Sequence, residues 1–110
     1  MVNRQPEQLI ATVLSQTAPL EGQNNRSSGN FSTESLPVGA QYLKWVITNG
    51  GNPDIISFNV MKDVSSGTDP VIFPAVLNGN RTTVEAARSL YIANPRNASD
   101  PFNVSVYAIY

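Results

Sequence analysis

The sequence predicts an all-β domain preceded by a polar arm. From Phe31 onward, short runs of alternating apolar and polar residues follow one another, and turns rich in Gly, Asn and Pro separate them. No helical pattern stands out after Asn30, whereas residues 1–30 are rich in Gln, Asn and Ser. The length of 110 residues fits one domain. We therefore expect an N-terminal connector arm and linker over 1–30 and a β domain over 31–110.

The arm contains one apolar island, at residues 9–14. Pro6 and the spacing of apolar residues 9, 10, 13 and 14 fit a short amphipathic helix. The alternation of residues 9, 11 and 13 with 10, 12 and 14 also fits a strand or an extended arm. Helix and strand both stay open for residues 7–16. Pro19, Gly22 and the run 23–29 predict a flexible linker.

The body contains about seven predicted strands. They cover residues 31–36, 41–48, 55–62, 71–77, 81–84, 88–93 and 102–110. The turn between the second and third of these is Asn49-Gly50-Gly51-Asn52-Pro53, whose Asn and Gly residues tolerate positive φ. Pro74 cannot donate a backbone hydrogen bond, so its strand is expected at a sheet edge or with a bulge. The apolar island would raise the count to eight, which predicts an antiparallel jelly-roll sandwich with an extended N-terminal arm.

Charge and residue content restrict the function classes. Only 14% of the residues are charged, and the formal net charge is −1. The sequence has no stripe of basic residues, so we do not expect nucleic acid as a partner. A surface this low in charge suits a protein that packs against copies of itself. No apolar run is long enough for a membrane helix, so no membrane partner is expected, and the N-terminus lacks a secretion-signal pattern.

The sequence offers no catalytic constellation. It contains no Cys and no His, which excludes Ser-His-Asp and Cys-His nucleophile systems and Cys/His zinc sites. The acidic residues are scattered, and all four aspartates lie beside turn residues, where side chains cap the local backbone: Asp54, Asp63, Asp69 and Asp100. We expect no catalytic, cofactor-binding or metal-binding residues, and we do not expect an enzyme.

The candidate functional residues are instead interface residues. Four apolar side chains of the island are expected to be anchors on a neighbouring subunit: Leu9, Ile10, Val13 and Leu14. Three tyrosines of the body are weaker interface candidates, because a hydroxyl tip tolerates a partly wet contact: Tyr42, Tyr107 and Tyr110. Aromatic residues on strands also fit a saccharide-binding platform, which stays open as an alternative.

From Gly39 onward, the body resembles the jelly-roll subunits of Bacillus endospore appendages, which are pilus-like fibres on spores. The resemblance consists of the stretch Gly39-Ala40-Gln41-Tyr42-Leu43-Lys44, the Asn-Gly-Gly turn, the Pro-Val-Ile-Phe run, the short strand at 88–93 and the alternating last strand. It covers about two-thirds of the chain. In that family an N-terminal connector reaches into the next subunit and its cysteines cross-link the fibre. This arm has no Cys, so its contact would rely on packing and backbone pairing.

The resemblance implies a structural subunit that self-assembles into an extracellular fibre on the spore surface or exosporium. Its partners would be copies of itself and an anchoring spore-surface protein, with no cofactor. Two other functions stay open: a viral or phage capsid or fibre subunit, and a carbohydrate-binding β-sandwich module.

Overall fold

The computed structural model describes residues 6–20 and 24–110. This part of the chain forms seven strands and one short 3-10 turn at Pro53–Ile55. The strands are β1 (Glu7–Ser15), β2 (Tyr42–Asn49), β3 (Ser57–Lys62), β4 (Val71–Leu77), β5 (Arg81–Thr83), β6 (Leu90–Arg96) and β7 (Phe102–Ile109). The all-β prediction is confirmed.

The strands form two antiparallel sheets. Sheet A has the order β1-β7-β2-β5, and sheet B has the order β4-β3-β6. Inward side chains of the two sheets meet in one apolar core, as the contacts of Trp45 below show. The arrangement is therefore compatible with a β-sandwich.

The segment predicted as an arm is, in its described part, a strand of the body. β1 pairs along its whole length with β7 of the same chain, from Glu7 opposite Ile109 to Ser15 opposite Phe102. One bulge interrupts the pairing, because Ile10 is an extra residue between Leu9 and Ala11. Of the two conformations left open for this segment, strand is the one observed.

Two predictions for residues 24–36 are wrong, and the part of the predicted linker at residues 21–23 lies outside the described residues. Residues 31–36 do not form a regular strand, and residues 24–33 are not a free linker but a segment hydrogen-bonded along β6. Ser27 N–H donates to the carbonyl of Ile92 at 2.8 Å, and Phe31 exchanges backbone bonds with Leu90 at 2.8 and 2.9 Å. Ser27 and Ser28 are buried, and their hydroxyl groups form hydrogen bonds inside the protein, with the Ser15 hydroxyl and with the Ile92 N–H respectively. These bonds make the burial of two polar side chains possible. We call residues 26–33 the β6-covering segment.

The antiparallel pairs are nested around one hairpin. β3 and β4 pair with each other, and β2 pairs with β5 outside them. The β6-covering segment bridges to β6 at Arg26–Ala93 and Phe31–Leu90, and β1 pairs with β7. The two ends of the described chain therefore meet in sheet A.

The core is centred on Trp45, whose side chain is fully buried. Its ring makes edge contacts with three phenylalanines, at centroid distances between 5.9 and 6.2 Å: Phe31, Phe58 and Phe73. Its indole N–H donates to the hydroxyl of Thr82 at 2.9 Å, so the only polar atom of the ring is satisfied. Trp45 belongs to sheet A and Phe58 to sheet B, so this cluster joins the two sheets.

The prediction for Pro74 is confirmed. β4 is an edge strand of sheet B, and its pairing with β3 is irregular between Phe58 and Val60. Ala75 has a positive φ of 49°, and its backbone N–H donates a hydrogen bond to the side-chain oxygen of Asn59 at 2.9 Å. The proline and the irregular backbone after it break the ladder at this point.

Candidate subunit interface

The four outer strands of the two sheets differ in how they are protected. β5 is only three residues long, and β4 is interrupted at Pro74. β6 is covered by residues 26–33 through backbone hydrogen bonds. β1 is nine residues long and contains no proline. Its outer side is bridged at Ser15 by Ser28, and between Glu7 and Val13 no described strand pairs with that side, which carries one bulge at Ile10. Within the described residues, β1 is therefore the long open edge, the kind of backbone template that pairs with another chain.

The backbone of β1 has a defined orientation at this edge. Gln16 N–H donates to the carbonyl of Ser27 at 2.7 Å, on the side of β1 that faces away from β7. Backbone groups alternate in direction along a strand, and no register shift occurs between Ala11 and Ser15. Thr12 and Leu14 therefore turn their N–H and C=O groups to the same outer side. Thr12 is exposed and lies away from the bridge between Ser15 and Ser28.

The four predicted anchor residues divide into two pairs. Leu9 and Leu14 are 52% and 49% exposed, which makes them available to a neighbour. Val13 is buried in the core of its own chain, and Ile10 packs against that core from the bulge. Val13 would therefore reach a neighbour only if β1 left its own sheet.

The structure brings one predicted anchor next to one predicted body residue. Leu9 pairs directly with Tyr107, which is half-buried on the outer face of sheet A. Tyr110 is also half-buried, and its hydroxyl donates to the Oε1 atom of Gln8 at 3.0 Å. Tyr42 is 42% exposed, with the Arg81 guanidinium 6.0 Å from the centre of its ring. The three tyrosines thus lie toward the Glu7 end of sheet A.

Charge on this face is sparse and paired. Lys44 Nζ lies 3.0 Å from Glu7 Oε1, and this ion pair joins β2 to β1 across β7, which runs between them. Ile109 of β7 lies between Glu7 of β1 and Tyr42 of β2. Its side chain is on the outer face of sheet A but is fully buried. Because both charges are partly exposed, the ion pair adds little stability. Its effect is to leave no unpaired charge at the start of β1.

A second polar cluster lies on the outer face of sheet B. Arg26 stacks on the ring of Tyr91, with its guanidinium carbon 3.7 Å from the ring centre. It also pairs with Asp63 at 3.0 Å and donates to Asn30 at 2.6 Å. The Tyr91 hydroxyl donates to Asp69 Oδ2 at 2.5 Å. We call these five residues the Arg26 cluster.

Hydrogen bonding shifts two pKa values in this cluster. The Tyr91 hydroxyl holds the pKa of Asp69 below its usual value, and the Val64 N–H and the Arg26 charge act in the same direction against the effect of burial. Burial raises the pKa of Tyr91, and its bond to Asp69 raises it further. Both carboxylate oxygens of Asp69 accept hydrogen bonds, from Val64 and Tyr91. The arrangement fastens residues 24–30 to the body and does not place a free acid or base.

Sequence reasoning missed the Arg26 cluster. It predicted backbone capping for Asp69, which the bond from Val64 N–H confirms, but not the bond to Tyr91. Arg26 lies in a stretch whose Asn, Ser and Gly content indicates a linker. No local signal links it to Tyr91, which is 65 positions later and becomes a neighbour only through the pairing of residues 26–33 with β6.

Comparison of the chain with protein-family models, with curated proteins and with solved structures returned no match. Among the described residues, no three His, Cys, Asp or Glu side chains come together in a way that would hold a metal ion. The described part also contains no helix with the length and apolar character needed to span a membrane.

Proposed function

We propose that this chain is a structural, non-enzymatic subunit that assembles with copies of itself by strand addition at β1. The observation that carries the proposal is the contrast among the sheet edges. β5 is short, β4 is broken at Pro74 and β6 is covered, whereas the outer side of β1 is open from Glu7 to Val13, with one bulge at Ile10. Strand addition at such an edge gains affinity from backbone hydrogen bonds and specificity from alternate side chains.

We further propose that the fold is a jelly roll. In that architecture an eight-stranded hairpin is rolled up, so that the first strand pairs with the last and the second with the seventh. The nested pairs described above follow this order when residues 26–33 are counted as the second strand. Support comes from β1 with β7, residues 26–33 with β6, β2 with β5 and β3 with β4.

The biological setting of the proposal comes from the sequence resemblance. A spore-surface or exosporium fibre would be an extracellular assembly of many copies, held to the spore by an anchoring protein. The low charge of the chain and its exposed Leu9 and Leu14 are compatible with close packing of copies. A capsid or phage-fibre subunit would use the same edge, and the gene neighbourhood would separate the two settings.

The proposal is tested by Thr12→Pro, with Thr12→Ala as the matched control. Thr12 N–H points away from β7, so proline removes no bond within the subunit, and proline is tolerated on edge strands. It does remove a donor needed for strand addition. Each lost backbone bond contributes about 0.5–1.5 kcal/mol, so two bonds at one contact correspond to roughly tenfold or more in affinity.

The measurement is light scattering coupled to size-exclusion chromatography, with electron microscopy of the same samples. Thr12→Ala should assemble as the natural chain does, and Thr12→Pro should remain monomeric with nearly unchanged thermal unfolding. A natural chain that stays monomeric at all concentrations, or a Thr12→Pro variant that assembles normally, would contradict assembly at β1.

A carbohydrate-binding module is the second candidate, and the exposure of Tyr42 favours it. An accessible ring beside Arg81 offers a stacking surface and a hydrogen-bond donor to a saccharide. In that case the natural chain would be monomeric, and saccharides would shift the NMR signals of Tyr42 and Tyr107.

A further inference from the structure

We infer that the apolar side chains along β4 form a separate contact surface, whose occupant is the same surface of a second copy in antiparallel orientation. The surface consists of four exposed residues, which we call the β4 stripe: Val71, Pro74, Ala75 and Leu77. The stripe belongs to sheet B, whereas β1 belongs to sheet A. The inference therefore goes beyond the proposed function and does not depend on it.

The first argument is the composition of the β4 edge. From Pro70 to Leu77 no side chain is polar or charged. Val71 and Leu77 are 49% and 44% exposed, and Pro74 and Ala75 are exposed between them. Edge strands commonly carry charged side chains that keep other chains away, and β4 carries none. Contiguous exposed apolar surface of this kind marks a contact site.

The pairing of β4 with β3 shows where the stripe faces. Val71 and Leu77 lie opposite Met61 and Ser57, which are next to core residues of β3 and face away from the core. The stripe is therefore on the outer face of sheet B. Pro74 lacks an N–H group and the backbone after it is irregular. A partner therefore contacts the stripe through side chains and not by strand addition.

The second argument is that the stripe matches itself. Val71 lies three residues before Pro74, and Leu77 lies three residues after it. A two-fold axis near Pro74 places Val71 of each copy against Leu77 of the other. The small side chains of Pro74 and Ala75 lie at the centre, where they allow a close approach. Both copies then remove apolar surface from water, which is favourable.

The third argument is charge, and it selects the antiparallel direction. Lys62 N–H donates to the Pro70 carbonyl at 3.1 Å, beside the start of β4, and Asn78 Nδ2 donates to Asp54 Oδ1 at 3.3 Å, beside its end. Both charged residues are exposed, and neither has an ion-pair partner within the described residues of its own copy. Antiparallel packing brings Lys62 of each copy toward Asp54 of the other. Parallel packing would bring like charges together, which is unfavourable.

The size of the stripe sets the strength of the contact. Four short side chains cover far less than the roughly 800 Å² per partner of a standard stable interface. We therefore expect pairing at high protein concentration, or between copies already held together at another surface, where the effective concentration is high. A dilute Thr12→Pro chain remains monomeric and pairs through the stripe only when it is concentrated. Because the contact is isologous, it joins two copies and then closes.

Single cysteines test the antiparallel direction, because the natural chain contains none. Val71→Cys and Leu77→Cys chains, both carrying Thr12→Pro to remove the β1 contact, are mixed in equal amounts at high concentration. A thiol cross-linker that spans about 10 Å, the spacing of packed sheets, should join the two different chains. Thiols in two copies of the same variant would lie six residues apart, or roughly 20 Å. The mixed product should therefore exceed either homodimer about tenfold.

The matched control replaces Val71→Cys by Val84→Cys in the same mixture. Val84 is 37% exposed but follows β5 of sheet A, away from the stripe. Cross-linking of this mixture should give the proportions of random encounter. Random proportions in both mixtures, or an excess of homodimers in the first, would overturn the antiparallel β4 contact.

NMR of the Thr12→Pro chain gives an independent measurement. Raising the protein concentration should shift the methyl signals of Val71 and Leu77 and leave those of Val84 unchanged. Leu77→Lys places a charge in the stripe and should abolish the shift at Val71. Methyl signals that do not change with concentration would overturn the β4 contact. Assembly at β1 would stand in that case, because the comparison of Thr12→Pro with Thr12→Ala tests it separately.

Discussion

Gly50 lies in the turn between β2 and β3, where its missing side chain lets three parts of the chain come together. It has φ of 81°, and a Cβ atom at this position would lie 2.8 Å from Ile56 Cδ1 and from Phe102 Cβ. Both of these residues are fully buried. The glycine therefore meets two requirements, a left-handed backbone and a tight approach to the core.

Two glycine substitutions separate these requirements. Gly67 has nearly the same φ, 83°, but a Cβ there would meet no atom within 4 Å. Gly67→Ala should therefore cost about 1–2 kcal/mol through backbone strain alone. Gly50→Ala should cost a further ~1–3 kcal/mol, because the methyl group overpacks the core. Urea unfolding of both variants measures the difference, and equal losses would show that the contacts with Ile56 and Phe102 relax freely.

Asp69 should make the free energy of unfolding depend on pH in the acid range. Its carboxylate accepts the Tyr91 hydroxyl bond, which lowers its folded pKa below the value of 3.8 for an ordinary Asp. The contribution is therefore fully present above pH 3.8 and is lost as the pH falls through the lower folded pKa. Tyr91 acts in the opposite direction, because its raised pKa gives stability that is present below pH 10 and lost as the pH rises through the folded value.

The measurement is thermal unfolding of the natural chain and of Asp69→Asn between pH 2 and pH 6. The natural chain should be the more stable above pH 3.8, and the difference should shrink below it. Tyr91→Phe removes the main cause of the Asp69 shift, so its stability should depend less on acid pH. A constant difference across the whole range would show that Asp69 does not contribute through its charge.

At the scale of elements, β1 is part of the folded body as well as the candidate interface. Deleting residues 1–20 would remove Val13 from the core and uncover the side of β7 that pairs with β1. We therefore expect this deletion to abolish assembly and also to lower the unfolding temperature, whereas Thr12→Pro abolishes assembly alone. Circular dichroism melting combined with light scattering distinguishes the two effects. A deletion variant that melts like the natural chain would show that β1 contributes little to the subunit.

The strands that sequence reasoning predicted well have strong local signals. The strand at 71–77 was predicted with its observed bounds, and that at 102–110 differs by one residue, because alternation and the neighbouring turns mark their ends. The edge position of Pro74 was also predictable, since its missing N–H is a local property.

The order in residues 24–33 was not predictable in the same way. Ser27 and Ser28 look like solvent-exposed linker residues, and their burial depends on hydrogen bonds to Ile92 and to Ser15 from distant parts of the chain. The sequence also does not show which side chains of the apolar island at residues 9–14 face the core and which face outward. Only the pairing with β7 shows that Val13 points inward whereas Leu14 points outward.

At the scale of the whole molecule, one open edge is enough to join two copies but not to build a fibre. An isologous contact closes on itself, so continued growth requires a second, different contact. The outer face of sheet A is the place where the structure offers one, because Tyr42 is exposed there and Tyr107 is half-buried beside Leu9. The fibre proposal thus assigns β1 and the tyrosines to two different contacts between copies.

The pairing of the first strand with the last also has a consequence during synthesis. β1 is made before the other described strands and its partner β7 after them, so β1 cannot pair with β7 until the five strands between them have been made. Such distant pairing also slows folding, because a large loop must close before any contact forms. Throughout that interval, a chain made nearby could offer a finished β7 to the waiting β1. The rate of chain release in the cell would then influence how often two subunits exchange their first strands.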